Sequence, residues 1–222
     1  MMMFASRTLG IVVSVGVLCS ASSVSAAVCA AQYSTLVEVR LIDPAPKVVT
    51  TSSLHQINSK AKAHGLLKRN NLVLGLTQSE VETSLNIGFR GYQQGGRTCM
   101  TVDRVDVSFG HSMLDIQVPK EYARGSCQYT TVLKHEMEHV RVNREGVRKY
   151  AKILKRDLAK AMTGFSPRVV HTMQSGQAEA QRVLQKVVNQ LTTQFHKEID
   201  AQHALIDKPG GAYDASGACG NW

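Results

Sequence analysis

Thr130-Thr-Val-Leu-Lys-His-Glu-Met-Glu-His-Val140 opens a stretch that runs on without interruption to Met162. Leu133, Met137, Val140, Val147, Ala151, Leu154 and Leu158 recur along it at helical spacing, so the whole reads as one long amphipathic helix. Inside it lies His135-Glu136-Met137-Glu138-His139, an H-E-x-x-H pattern. Residues four apart sit on one helix face a single turn apart, so both imidazoles can reach one ion. The two histidines fall on a different side from the apolar stripe, which lets a core-facing seam and a metal face share one helix. Zn²⁺ is the natural guest for neutral imidazole nitrogens, and a catalytic zinc typically adds a third protein ligand and an exchangeable water. Glu136 is placed to take a proton from that water. Glu138 points elsewhere and is expected to pair with Arg141 or to face solvent. The competing reading is a solvated helix whose His and Glu residues merely make contacts along its surface.

Downstream, Gly164 suits a helix end, and Ser166-Pro167 reads as an N-cap followed by proline at the first helical position. A second long helix then carries Val170, Met173, Val183, Leu184, Val187, Leu191, Phe195 and Ile199, and the two helices are expected to form a hairpin. Folding the chain back near Gly164 brings residues 190–203 alongside His135 and His139. That region holds His196, Glu198, Asp200 and His203, and the stripe His196, Asp200, His203, Asp207 has helical spacing up to the breaker Pro209-Gly210-Gly211. His203 is the first choice for the third metal ligand, with Glu198 or Asp200 next. Glu145 is a further candidate, but using it requires the helix to break after His139, usually at a glycine, and position 142 is Val.

Upstream the pattern is mostly β. Val37, Val39 and Leu41 alternate with Glu38 and Arg40 until Asp43-Pro44-Ala45-Pro46 ends the strand. Ser53 can cap a short helix bearing Leu54, Ile57 and Ala61, closed by His64-Gly65. Thr77-Gln-Ser-Glu80 has capping-box spacing, yet Val81, Thr83, Leu85, Ile87 and Phe89 alternate like a strand, so this segment supports either element. Gly95-Gly96 separates it from a strand at Met100–Phe109, and Met113–Val118 supplies another before Pro119. The expected fold is α+β: a small antiparallel sheet followed by two long C-terminal helices, the first carrying the H-E-x-x-H motif.

Arg7, an apolar stretch from Leu9 to Cys19 and the small residues around Val24-Ser25-Ala26 describe a secretory signal peptide over 1–26, leaving 27–222 as a single domain. The apolar run is too short to span a bilayer and no later run is long enough, so no stable membrane span is expected. Cleavage removes Cys19 and leaves Cys29, Cys99, Cys127 and Cys219, an even number that points to two disulfides in an oxidising compartment, with connectivity open. The full chain carries a net charge of +9. Arg141, Arg144, Arg148, Lys149, Lys152, Lys155, Arg156 and Lys160 crowd the first long helix, so an anionic envelope component is a candidate partner beside a solvated helix face. No aromatic residues suited to base stacking are interleaved there, which argues against nucleic acid.

With His135-Glu136-x-x-His139 placed after a sheet and inside a long helix, the chain resembles the zincin metallopeptidases. Its signal segment, Gly125-Ser-Cys127-Gln-Tyr129 and the C-terminal Tyr213-Asp214 make it similar to the uncharacterised bacterial secreted zinc-dependent-protease-like proteins. The resemblance implies ligand roles for His135 and His139, a base role for Glu136 and a protein or peptide substrate. It covers about fifteen residues around the motif, and the glycine and third histidine of the short-spaced zincins are missing. The expectation is a secreted or periplasmic zinc metallopeptidase. Its rivals are a zinc hydrolase of a non-peptide cell-wall bond and a non-enzymatic envelope protein that binds polyanions through the basic helix.

Overall fold

The computed structural model describes residues 29, 34–66, 72–215, 217–220 and 222. The signal segment 1–26 lies outside the described residues. Strand β4 (Arg97–Gln117) is the axis of the sheet, and β3 (Leu76–Gln94) pairs antiparallel along its full length through a turn in which Gly95 and Gly96 take φ of 57° and 73°. Two successive positive φ angles match the right-handed twist of a hairpin, which is why two glycines stand there. The segment that could have begun as a helix at Thr77 is therefore strand, because its alternating residues pack on one face of the sheet.

The other edge of β4 is shared by three short strands. Strand β1 (Leu36–Ile42) and strand β2 (Lys47–Val49) run parallel to it, and β5 (Arg168–Val169) runs antiparallel. The expected antiparallel sheet is thus a mixed one. Alternation marks β1 as a strand without giving its direction, and the long connection from Asp43 to Gln94 provides the crossover that a parallel partner needs. The two strands expected at Met100–Phe109 and Met113–Val118 are one, passing through a bulge that shifts the register between Glu80 and Val81. Gly110 lies in this bend at φ 149°, where a Cβ would run into the Ile42 carbonyl.

Between β2 and β3 sits α1 (Leu54–Ala63), opened by a reciprocal capping box between Ser53 and Gln56 and closed at His64, as its sequence indicates. The two long helices follow as α2 (Cys127–Phe165) and α3 (Met173–Ile206). They pack against each other and over one face of the sheet, burying Val102, Val105 and Phe109 of β4 against Val147, Leu154 and Leu158 of α2 and Leu184 and Phe195 of α3. A smaller cluster of Leu114, Ile116 and Val118 packs on Val132 and Val140 near the start of α2. Met137, counted in the apolar stripe, is 42% exposed. The sheet-facing line of α2 runs instead through Val132, Glu136, Val140, Asn143 and Val147, all of them buried.

Ser166 does not cap the second helix. It ends α2, its hydroxyl accepts the Val102 N–H at 2.9 Å, and its peptide bond to Pro167 is cis. Thr172 is the residue that caps α3, in a reciprocal arrangement with Ser175. The hairpin expected of the two helices is present, with its turn widened by β5. Two disulfides join Cys29 to Cys99 and Cys127 to Cys219. Among the described residues no helix is long and apolar enough to cross a membrane.

Candidate metal centre

Near its start α2 presents two faces at once. The spacing of 100° per residue turns Glu136 toward the sheet, while His135 and His139 look toward the C-terminal end of α3. Gly146, one of the residues where the two helices meet, has no side chain, and a Cβ there would overlap Ile199. This close approach at Gly146 carries the last turn of α3 down beside the histidines.

There three ligand atoms converge. His139 Nε2 lies 3.2 Å from His135 Nε2 and 3.0 Å from Asp207 Oδ1, and His135 Nε2 lies 3.3 Å from the same oxygen. Two donors each about 2.0–2.1 Å from one ion in a tetrahedral arrangement stand roughly 3.3 Å apart, so this triangle has the size of one face of a zinc coordination shell. His135, His139 and Asp207 form a group that can hold a metal ion. The donor set, two imidazoles and one carboxylate, is one that divalent transition metals take.

The outer nitrogens of the two rings are also engaged. His135 Nδ1 lies 2.8 Å from the Tyr213 carbonyl oxygen, an acceptor only, so Nδ1 carries the proton and Nε2 is left to face the triangle. His139 Nδ1 is 2.8 Å from His203 Nδ1. Burial and the neighbouring His139 pull His203 down to about 4, so it is neutral at pH 7 and can accept the His139 Nδ1–H. Hydrogen bonds of this kind to the far nitrogen fix the orientation of metal-binding histidines. Burial lowers the pKa of His135, but the Asp207 carboxylate, the Tyr213 carbonyl and the charge of Glu136 outweigh it and raise the ring to about 9. Asp207, half exposed, is held well below the usual carboxylate range: burial works against ionisation, and the bonds from His135 and His139 prevail.

Glu136 is 4% exposed. The Thr77 hydroxyl on β3 lies 2.7 Å from its Oε2, and burial raises the carboxyl above its ordinary pKa. Gly75 lets the strand come this close, because a Cβ there would overlap Val132 and stand 2.8 Å from Glu136 Oε1.

The structure therefore brings together His135, His139 and His203 from the candidates read in the sequence, and it adds Asp207 in the converging position for which His203 was the first choice. His203 stands one turn earlier on α3, behind His139. Glu198 receives Lys149 at 2.6 Å and Tyr150 at 3.0 Å, well along α2 from the motif. Glu145 pairs with Arg141, which also reaches Glu138 as expected. His196 stacks edge-on against Phe195, and Asp200 is exposed on α3. Asp207 was visible as the last member of the polar stripe. Thr77, Gly75 and the Tyr213 carbonyl carried no signal as site residues, since a backbone carbonyl has no sequence signature and Thr77 read as a cap. No family model, curated protein or solved structure matches this chain.

Proposed function

We propose that the chain is a secreted or periplasmic zinc-dependent metallopeptidase that hydrolyses peptide bonds, with Glu136 as general base. The observation that carries this reading is the triangle of His135 Nε2, His139 Nε2 and Asp207 Oδ1 beside a carboxyl buried one residue along the same helix. His135, His139 and Asp207 would hold the ion, while the Tyr213 carbonyl and His203 hold the two rings. When bound, zinc supplies Lewis-acid polarisation of a carbonyl and an acidified water. Glu136 takes the proton of the attacking water and hands it to the leaving amine. Burial raises the Glu136 carboxyl above its ordinary value, the direction that favours a group able to take up the proton and carry it to the amine. Thr77 keeps the carboxyl in one orientation while this happens.

The signal-like N-terminus and the two disulfides support secretion or a periplasmic location. The alternative of a polyanion-binding envelope protein is weakened over the part of the basic helix from Arg141 to Lys149, where the cations are paired. Arg144 and Arg148 both clamp Asp43, Arg141 holds Glu138 and Glu145, and Lys149 holds Glu198.

The test uses protein purified with its disulfides formed. Wild type should contain one zinc per chain and cleave casein, His135→Ala and His139→Ala should lose the metal, and Glu136→Gln should keep metal and lose hydrolysis. Cleavage of purified peptidoglycan in place of casein moves the substrate to the cell-wall class. Wild-type protein indifferent to zinc removes the metal centre, and hydrolysis retained by Glu136→Gln removes the assigned base.

A further inference from the structure

Beyond Asp207 the chain does not leave the site. Gly210, at φ 69°, turns it, the Gly210 N–H donates to Asp214 Oδ2 at 2.7 Å, and the Gly211 N–H donates to the Lys208 carbonyl at 2.9 Å. The segment then returns to the beginning of α2, where Cys219 is bonded to Cys127, the first residue of the helix. The Thr131 hydroxyl lies 3.7 Å from Cys219 Sγ, and Trp222 meets Tyr122 edge-on at 5.9 Å between ring centroids. A closed circuit results. It runs from Cys127 up α2 to His135, across to Asp207 and Tyr213 on the returning segment, and back through the disulfide. Tyr213, the midpoint of the return, is the residue whose carbonyl meets His135 Nδ1.

We infer that the chain following α3, described at 208–215 and 217–219, straps the metal centre: the Cys127–Cys219 bond holds the Tyr213 carbonyl against His135 and thereby keeps Nε2 of that ring aimed at His139 and Asp207. Tyr213 and the disulfide are positioning elements. Without the bond, the strap beyond α3 loses its covalent anchor to the start of α2, and the carbonyl loses its fixed place. The His135 ring is then free to turn about its side-chain bonds, and the ion loses one well-placed ligand. Cys29–Cys99 ties the chain to β4 at the far end of the sheet and has no such connection. This inference rests on the metal-centre reading, and the experiment separates the two.

Zn²⁺ release to a chelator is followed in wild type, in Cys127→Ser/Cys219→Ser and in Cys29→Ser/Cys99→Ser. Circular dichroism checks the fold of each, and ¹H–¹⁵N spectra of the imidazoles of metal-free protein report the His135 Nδ1–H. Loss of a hydrogen bond to the outer nitrogen weakens metal sites by about 10- to 100-fold. The Cys127/Cys219 variant should therefore hold zinc 10- to 100-fold less tightly and lose the exchange-protected Nδ1–H resonance, while the Cys29/Cys99 variant keeps both. Equal zinc retention and an unchanged Nδ1–H in the Cys127/Cys219 variant overturn the strap. Wild type that takes no zinc overturns the metal centre, and the Nδ1–H resonance still decides the strap. If the double variant fails to fold, Asp214→Ala, which leaves both disulfides in place, should lower zinc retention and Nδ1–H protection, and wild-type values for both overturn the inference.

Discussion

Where α2 meets the end of α3, His135 and His139 each aim one nitrogen at the same Asp207 oxygen, and in metal-free protein a proton must separate at least one of these pairs. His135 holds it, with a pKa raised to about 9. A histidine whose folded pKa exceeds its unfolded value of about 6.5 contributes stability that is complete below the unfolded value and is lost as pH rises through the folded one. His203 acts in the opposite sense. Its folded value of about 4 means that unfolded chain takes up a proton the folded chain refuses, so stability climbs from pH 4 toward neutrality. The depressed Asp207 adds stability above the ordinary carboxylate range that is lost on acidification. Metal-free protein should therefore be most stable near pH 6.5 and lose on the order of 1–3 kcal/mol by pH 9, as read by denaturant titration in EDTA. Saturating zinc should abolish the alkaline decline, since the metal takes the place of that proton; a flat profile in EDTA would contradict the protonated pair. Substitution at the two α3 residues tests their separate duties. Asp207→Asn removes a ligand charge and should weaken zinc binding more than His203→Ala, which removes an outer hydrogen bond worth about 10- to 100-fold. Chelator competition checks the order, and the reverse order would make His203 the ligand.

The helix pair is the element that turns motif into site, and Gly146 is a point where the two helices come close. A Cβ there would overlap Ile199 and stand 3.1 Å from Phe195. Gly146→Ala should therefore push α3 outward at a cost of about 1–3 kcal/mol and weaken zinc binding as well, because Asp207 lies two turns further along α3. Gly164→Ala, where a Cβ would meet nothing within 4 Å, should be neutral or slightly stabilising and serves as the control in thermal melts. Most of this architecture was legible in sequence. The long apolar periodicities of α2 and α3, the Ser53 cap, the Gly95-Gly96 turn and the alternation of β1 report contacts that repeat along one element. What stayed hidden depends on contacts between elements. The parallel sense of β1 depends on the long crossover that returns the chain to β4, which local alternation does not report. The exposure of Met137 follows from the rotation of α2 that buries Glu136 and Asn143. The register of the hairpin fixed the third ligand position, because β5 and the Thr172 cap move the fold-back point beyond Gly164 and bring Asp207, rather than a residue nearer 196, level with His139. The H-E-x-x-H pair survived this uncertainty because its geometry lies within a single helix.

Among the described residues, the cations of α2 differ in their surroundings from one end of the helix to the other. On α2 the three arginines that follow His139 most closely are tied to carboxylates, Arg141 to Glu138 and Glu145, Arg144 and Arg148 to Asp43, while Lys134 beside His135 is exposed. Lys152, Lys155 and Lys160 lie farther on and are exposed. At 1.5 Å of rise per residue, Lys152 is about 20 Å and Lys160 about 30 Å along the helix from His139. Both distances exceed the Debye length of about 10 Å at 0.1 M salt, so these charges are screened from the metal face. The chain should consequently adhere to anionic phospholipid vesicles at low ionic strength through the far end of the hairpin, and release as salt is raised. Lys152→Glu/Lys155→Glu/Lys160→Glu should reduce that retention and leave zinc content unchanged, whereas His135→Ala should empty the metal centre and leave retention unchanged. Vesicle sedimentation across a salt series, with zinc analysis of the same samples, reads both quantities. If the triple Lys variant lost zinc, or His135→Ala lost vesicle binding, the two ends of the hairpin would be one functional surface, and the division of labour argued from their separation would fail.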